Sequence, residues 1–86
     1  MRYKEIPEEH ALVLRQLDEA GEEDFITLAE SICLDRAKLV HIIGSLKNKG
    51  LIKVRRTTQD TWVSISTRGK RLIEILMPGI HAQYGS

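Results

Sequence analysis

Asp35-Arg36-Ala37-Lys38-Leu39-Val40-His41-Ile42-Ile43-Gly44-Ser45-Leu46-Lys47-Asn48-Lys49-Gly50 is the stretch on which the reading of this chain turns. Leu39, Ile42, Ile43 and Leu46 stand at i, i+3, i+4 and i+7, the spacing of one apolar stripe on a helix. Asp35 is a residue type that caps a helix N-terminus by accepting from its free backbone N–H groups. Lys49 and Gly50 supply a cationic last turn and a glycine just past the end. The segment therefore reads as a helix over about 35–49. Its other side carries Arg36, Ala37, Lys38, Val40, His41, Gly44, Ser45 and Lys47. Arg36 and Lys38 stand at the N-terminal end, where a cation opposes the helix dipole by a few tenths of a kcal/mol. A polyanionic partner would offset that cost.

Downstream of Gly50, residues Leu51 to Thr57 alternate, with Ile52 and Val54 on one side and Lys53 and Arg55 on the other. Trp62 to Ser66 alternate too, with Val63 and Ile65 inward. Joined by Thr57-Thr58-Gln59-Asp60-Thr61, they read as a two-stranded antiparallel ribbon over about 51–66 with a loose polar tip. Ser66 then caps a last helix, Thr67 to Met77, ended by Pro78-Gly79. Upstream, Cys33-Leu34 is a turn, and Thr27 with Glu30 three residues later has capping-box spacing for a short helix, Leu28 to Ile32. Glu22-Glu23-Asp24 reads as a polar loop and Phe25-Ile26 as a very short strand. A first helix over 7–19 begins with Pro7 at its first position and stops at Gly21; His10, Val13, Leu14, Leu17 and Ala20 form its buried stripe, widened by Leu12.

Two helices joined by a tight turn and followed at once by a hairpin make a winged helix-turn-helix: an α+β fold, mainly α, in which the second of the two helices can enter a DNA major groove. The charge distribution agrees. Residues 1–35 hold three basic and ten acidic side chains, a net −7, and residues 36–86 hold ten basic and two acidic, a net +8. A near-neutral chain of net charge +1 thus conceals a basic half suited to a polyanion.

The 86 residues are expected to form a single domain, 1–86, with its core over about 7–77 and residues 78–86 frayed. A content of 42% hydrophobic and 29% charged residues excludes a disordered tail. No apolar run approaches the roughly 20 residues of a membrane span, and Met1 to Pro7 lacks a signal-peptide core, so a cytoplasmic location is expected. The lone Cys33 has no disulfide partner and reads as a small buried thiol. Cys33, His10, His41 and His81 lack metal-ligand spacing, and there is no glycine-rich phosphate loop or nucleophile–base arrangement. The expectation is no metal, no cofactor and no enzymatic activity.

Leu28-Ala29-Glu30-Ser31-Ile32-Cys33-Leu34-Asp35 through Lys49-Gly50-Leu51-Ile52 resembles, without a gap, the pattern of MarR-type winged-helix regulators. Val63-Ser64-Ile65-Ser66-Thr67-Arg68-Gly69 is similar to the end of that family's wing and the start of its next helix, and the resemblance spans about residues 8–80. It implies a transcriptional regulator of double-stranded DNA, usually a homodimer and often responsive to a small molecule. The positions matching the family's base-contacting stretch are Arg36, Ala37, Lys38, Val40 and His41. Phosphate contacts are expected from Thr27, Ser45, Lys47, Lys53, Arg55, Arg56, Gln59 and Thr61. About four to five such contacts per subunit give a log–log salt slope near −4. Two copies would pair through the first and last helices. The family's long terminal helices are expected to be missing, the wing tip Gln59-Asp60-Thr61-Trp62 lacks the family's arginine, and Cys33 fills a turn position where glycine is usual. The strongly acidic first segment and the missing terminal helices favour the rival expectation of a protein-interaction module in a larger assembly, without DNA binding. Trp62 is expected to pack against the core or the ribbon edge.

Overall fold

A computed structural model describes residues 6–76. The elements run α1 (Glu8–Ala20), β1 (Glu22–Asp24), α2 (Phe25–Ile32), α3 (Arg36–Asn48), β2 (Ile52–Arg56), β3 (Thr61–Ile65) and α4 (Thr67–Leu76). Met77 and the residues 78–86 expected to fray lie outside the described residues.

Pro7 ends up just before α1 rather than inside it, and its carbonyl accepts from Ala11 N–H at 3.1 Å. Gly21 ends the helix at φ 87° with its N–H on the Leu17 carbonyl, 2.7 Å away. His10, Ala11, Val13, Leu14 and Leu17 are buried. Leu12 and Ala20 are not part of that stripe: both face solvent, and Leu12 is 41% exposed.

The next segment departs most from the sequence reading. Glu22-Glu23-Asp24 is the strand, and Phe25-Ile26 opens the helix. Asp24, not Thr27, caps α2 by accepting from Thr27 N–H at 3.2 Å. The acids become a strand because β1 pairs antiparallel with β3, Glu22 opposite Ser64, Glu23 opposite Val63 and Asp24 opposite Trp62. The ribbon is therefore a three-stranded sheet of order β1-β3-β2. Cys33 follows α2 in the left-handed region, φ 55°, which explains why glycine would suit it. Its thiol is exposed, not buried as expected. The turn directs Cβ outward.

Asp35 caps α3 as anticipated, its Oδ1 accepting from Lys38 N–H at 2.8 Å. Leu39, Ile42, Ile43 and Leu46 are all buried. With Val13, Leu14, Leu17, Leu28, Leu51, Ile52, Val63, Ile65, Leu72 and Ile73 they make one core. Truncating one of its fully enclosed leucines to alanine costs about 2–5 kcal/mol. The wing tip is closed rather than loose. Thr57 Oγ1 accepts from Gln59 N–H and Asp60 N–H at 3.3 and 2.9 Å, and Thr57 N–H donates to the Asp60 carbonyl at 2.8 Å.

Ser66 fastens α4 to the end of α3. Its hydroxyl accepts from Gly69 N–H at 3.1 Å and donates to the Gly50 carbonyl at 2.7 Å, and its own N–H donates to the Leu51 carbonyl. Gly69 packs directly on that same carbonyl: an added Cβ would collide with it and stand 2.7 Å from Ile65 Cγ1.

Candidate nucleic-acid interface

The buried stripe of α3 fixes which side chains it offers outward. At 100° per residue, Ala37, His41, Gly44 and Asn48 fall opposite that stripe. Arg36, Val40 and Lys47 line the flank toward the wing, and Lys38 and Ser45 line the flank toward α1. All of these are exposed except the half-buried Ser45. Val40 is 59% exposed, an apolar side chain left in water. The outermost strip is thus small or neutral, with cations on both sides of it. Asn48 shares that strip and was missing from the sequence reading, although its spacing from His41 and Gly44 places it there.

Between α3 and the wing runs a cleft of about 430 Å³, lined by Val40, Gly44 and Lys47 on one wall and Val54, Arg56 and Thr61 on the other, with Phe25 and Ile43 beneath. A smaller hollow of about 210 Å³ brings Arg36 near Gln59, Asp60 and Thr61 of the wing and near Asp24. The fold therefore gathers Arg36, Lys47, Arg56, Gln59 and Thr61 onto one side of the molecule. Among the described residues Arg36, Lys47 and Arg56 form no ion pair.

Strand alternation splits the expected row of wing contacts. Arg56 and Thr61 are register partners on the side facing α3, continuous with Val54 and Val63. Lys53 and Arg55 point to the reverse side, as do Trp62 and Ser64. There Arg55 pairs with Glu22 at 3.2 Å and lies 5.7 Å from the centroid of the Trp62 ring. Trp62 is half-buried and holds that arginine rather than joining the core. Thr27 sits exposed within the first turn of α2, its N–H already taken by Asp24.

Two acids outside the expected site residues prove to be partners of site cations. Glu9 of α1 binds Lys38 Nζ at 3.0 Å across 29 residues of sequence, and Glu22 of β1 binds Arg55. No local pattern announces pairs so distant in the chain. Beside Glu9, His10 is 8% exposed and its Nδ1 has no hydrogen-bond partner. Burial first, then the nearby charges of Lys49 and His41, push its pKa below the ordinary 6.5, against an opposing pull from Glu9. The Asp24 carboxyl is likewise held below its usual range, by the Thr27 side chain first and the Thr27 backbone second. Among the described residues no group of three or more His, Cys, Asp or Glu is placed to hold a metal ion, and no helix is long and apolar enough to cross a membrane.

A helix–turn–helix whose second helix leads into a sheet-borne wing defines a winged-helix protein. Its architecture is that of the MarR-type regulators. The chain superposes on NadR bound to 4-hydroxyphenylacetate with a TM-score of 0.82 at 24% identity, covering 94% of this chain and 60% of that one. BpsR of Bordetella bronchiseptica, described with the regulation of its DNA binding by 6-hydroxynicotinic acid, gives 0.80 at 22% identity, covering 85% and 53%. A cysteine-to-serine mutant of MarR from E. coli complexed with operator DNA gives 0.75 at 19% identity, covering 80% and 51%. The chain thus spans about half to three-fifths of the length of these structures. No protein-family model matches it, and neither does any curated protein.

Proposed function

We propose that this chain binds double-stranded DNA as the DNA-reading part of a cytoplasmic transcriptional regulator, with α3 in the major groove and the wing on the adjoining backbone. The observation that carries the reading is a set of cations without an ion pair among the described residues: Lys47 of α3 faces Arg56 of the wing across the larger cleft, and Arg36 stands in the smaller hollow against the wing tip. The small outward strip beside it admits a close approach to base edges. Arg36, Ala37, Lys38, Val40 and His41 are the base-facing group: Arg36 matches the acceptors of guanine, and Ala37 and Val40 match a thymine methyl. Thr27, Ser45, Lys47, Arg56, Gln59 and Thr61 are the phosphate-facing group, and Lys38, on the flank toward α1, reaches the adjoining phosphate as well as the base edges. Lys53 and Arg55, on the reverse side, contribute long-range attraction only. Two copies pair through α1 and α4, where Leu12 and Ile75 are 41% and 52% exposed.

Three free cations give a log–log salt slope near −3, shallower than the whole basic row implies, and a loss of about 40-fold in affinity between roughly 50 and 200 mM salt. Fluorescence anisotropy with a labelled generic duplex measures it. Lys47→Ala or Arg56→Ala each lowers the slope by about 1. A flat salt response, or no binding at low salt, overturns the reading in favour of a protein-interaction module. That alternative draws on the ion pairs already made by Lys38 and Arg55.

A further inference from the structure

We infer that Glu9 is an internal counterion that competes with a DNA phosphate for Lys38 and so sets how tightly α3 seats on a duplex. The inference rests on the DNA-binding reading above and adds a residue that opposes it. Glu9 lies in the first turn of α1, where the helix dipole favours an anion, and Lys38 lies in the first turn of α3. The Asp35 cap fixes the Lys38 backbone, so only the side chain is free to choose between partners. Its ammonium is 3.0 Å from the Glu9 carboxylate, and both side chains are about half exposed, 50% and 43%. A pair this open is weak enough to be exchanged.

A phosphate arriving at Lys38 must displace Glu9. The cation it sheds is matched by one drawn back to the bared carboxylate, so Lys38 yields no net counterion release. The same carboxylate, left beside the backbone, repels it. Glu22 supplies the internal comparison, because it neutralises Arg55 on the reverse face of the sheet. Glu9→Gln and Glu22→Gln change the net charge equally and differ only in which side of the molecule they bare.

The test is a salt titration of duplex binding by the wild-type chain, Glu9→Gln, Glu22→Gln, Lys38→Gln and the Glu9→Gln/Lys38→Gln double variant, each checked for an unchanged unfolding transition. Glu9→Gln is expected to steepen the salt slope by about 1. It should also tighten low-salt binding by roughly two- to fivefold. Glu22→Gln leaves the slope as it was. Lys38→Gln barely changes the wild-type slope but abolishes the gain of Glu9→Gln. Equal slopes for wild type and Glu9→Gln overturn the inference while leaving duplex binding intact. So does a gain from Glu22→Gln as large as that from Glu9→Gln, and so does a loss of a full unit of slope from Lys38→Gln alone. Absence of binding by every variant at low salt overturns the DNA-binding reading and this one with it.

Discussion

Two glycines sit inside helices of this protein in opposite surroundings. Gly69 of α4 lies at a closed seam, where any Cβ would meet the Leu51 carbonyl. Gly44 of α3 lies on an open face, where a Cβ would meet nothing within 4 Å. The fold demands the first glycine and has no use for the second, which weakens α3 by roughly 1 kcal/mol relative to alanine. Nothing in the chain's own packing calls for that glycine. The face it belongs to is the one proposed to meet DNA.

The contrast is most directly challenged at the seam. Gly69→Ala should destabilise by about 3 kcal/mol or more, because the obstacle is backbone and cannot swing aside. Chemical denaturation measures it, and a near-neutral result would show that the seam yields. Ser66→Ala removes the cap of α4 and the bond to the Gly50 carbonyl, and a loss of about 1–2 kcal/mol is expected in the same assay. Gly44→Ala should go the other way, adding about 1 kcal/mol and raising the melting temperature by roughly 4–8 °C. Duplex binding by that variant should weaken at an unchanged salt slope, because the new methyl blocks approach without touching a charge. A stabilised variant that binds as well as wild type would leave Gly44 without an explanation.

The smallest effect expected is a pH dependence at the junction of α1 with α3. His10 titrates below its ordinary 6.5 in the native state, so between that lowered value and 6.5 the unfolded chain binds more protons. Stability therefore rises with pH across this window, and the contribution is gone once pH falls below the native value. Melting curves over this range should show the slope, and His10→Leu should flatten it.

Most of the fold was legible because its signals are local. The i, i+3, i+4, i+7 stripe of Leu39 to Leu46, the Asp35 and Ser66 caps, and the Gly21 and Gly50 stops each depend on neighbours within a few residues. β1 was not legible, since three consecutive acids have little strand preference and are made a strand only by pairing with Trp62 to Ser64 far along the chain. The same distance hid the partners of Lys38 and Arg55. Cys33 was misplaced for another reason: a thiol's general preference for the interior gave way to a left-handed turn that points it outward. Of the candidate site, the periodicity of α3 was enough to name its outward residues apart from Asn48. The alternation of β2 was on the page as well, but Lys53, Arg55 and Arg56 were grouped by charge when the pleat separates them.

Among the described residues, the strand order β1-β3-β2 leaves β2 with a neighbour on one side only, so a row of its backbone donors and acceptors is unpaired within the sheet. Such a margin invites a further strand from another molecule. Here it is fringed by Lys53, Arg55 and Arg56, and a second copy offering the same margin would bring like charges face to face. The cations of the wing thus guard the sheet against stacking into ribbons at high concentration.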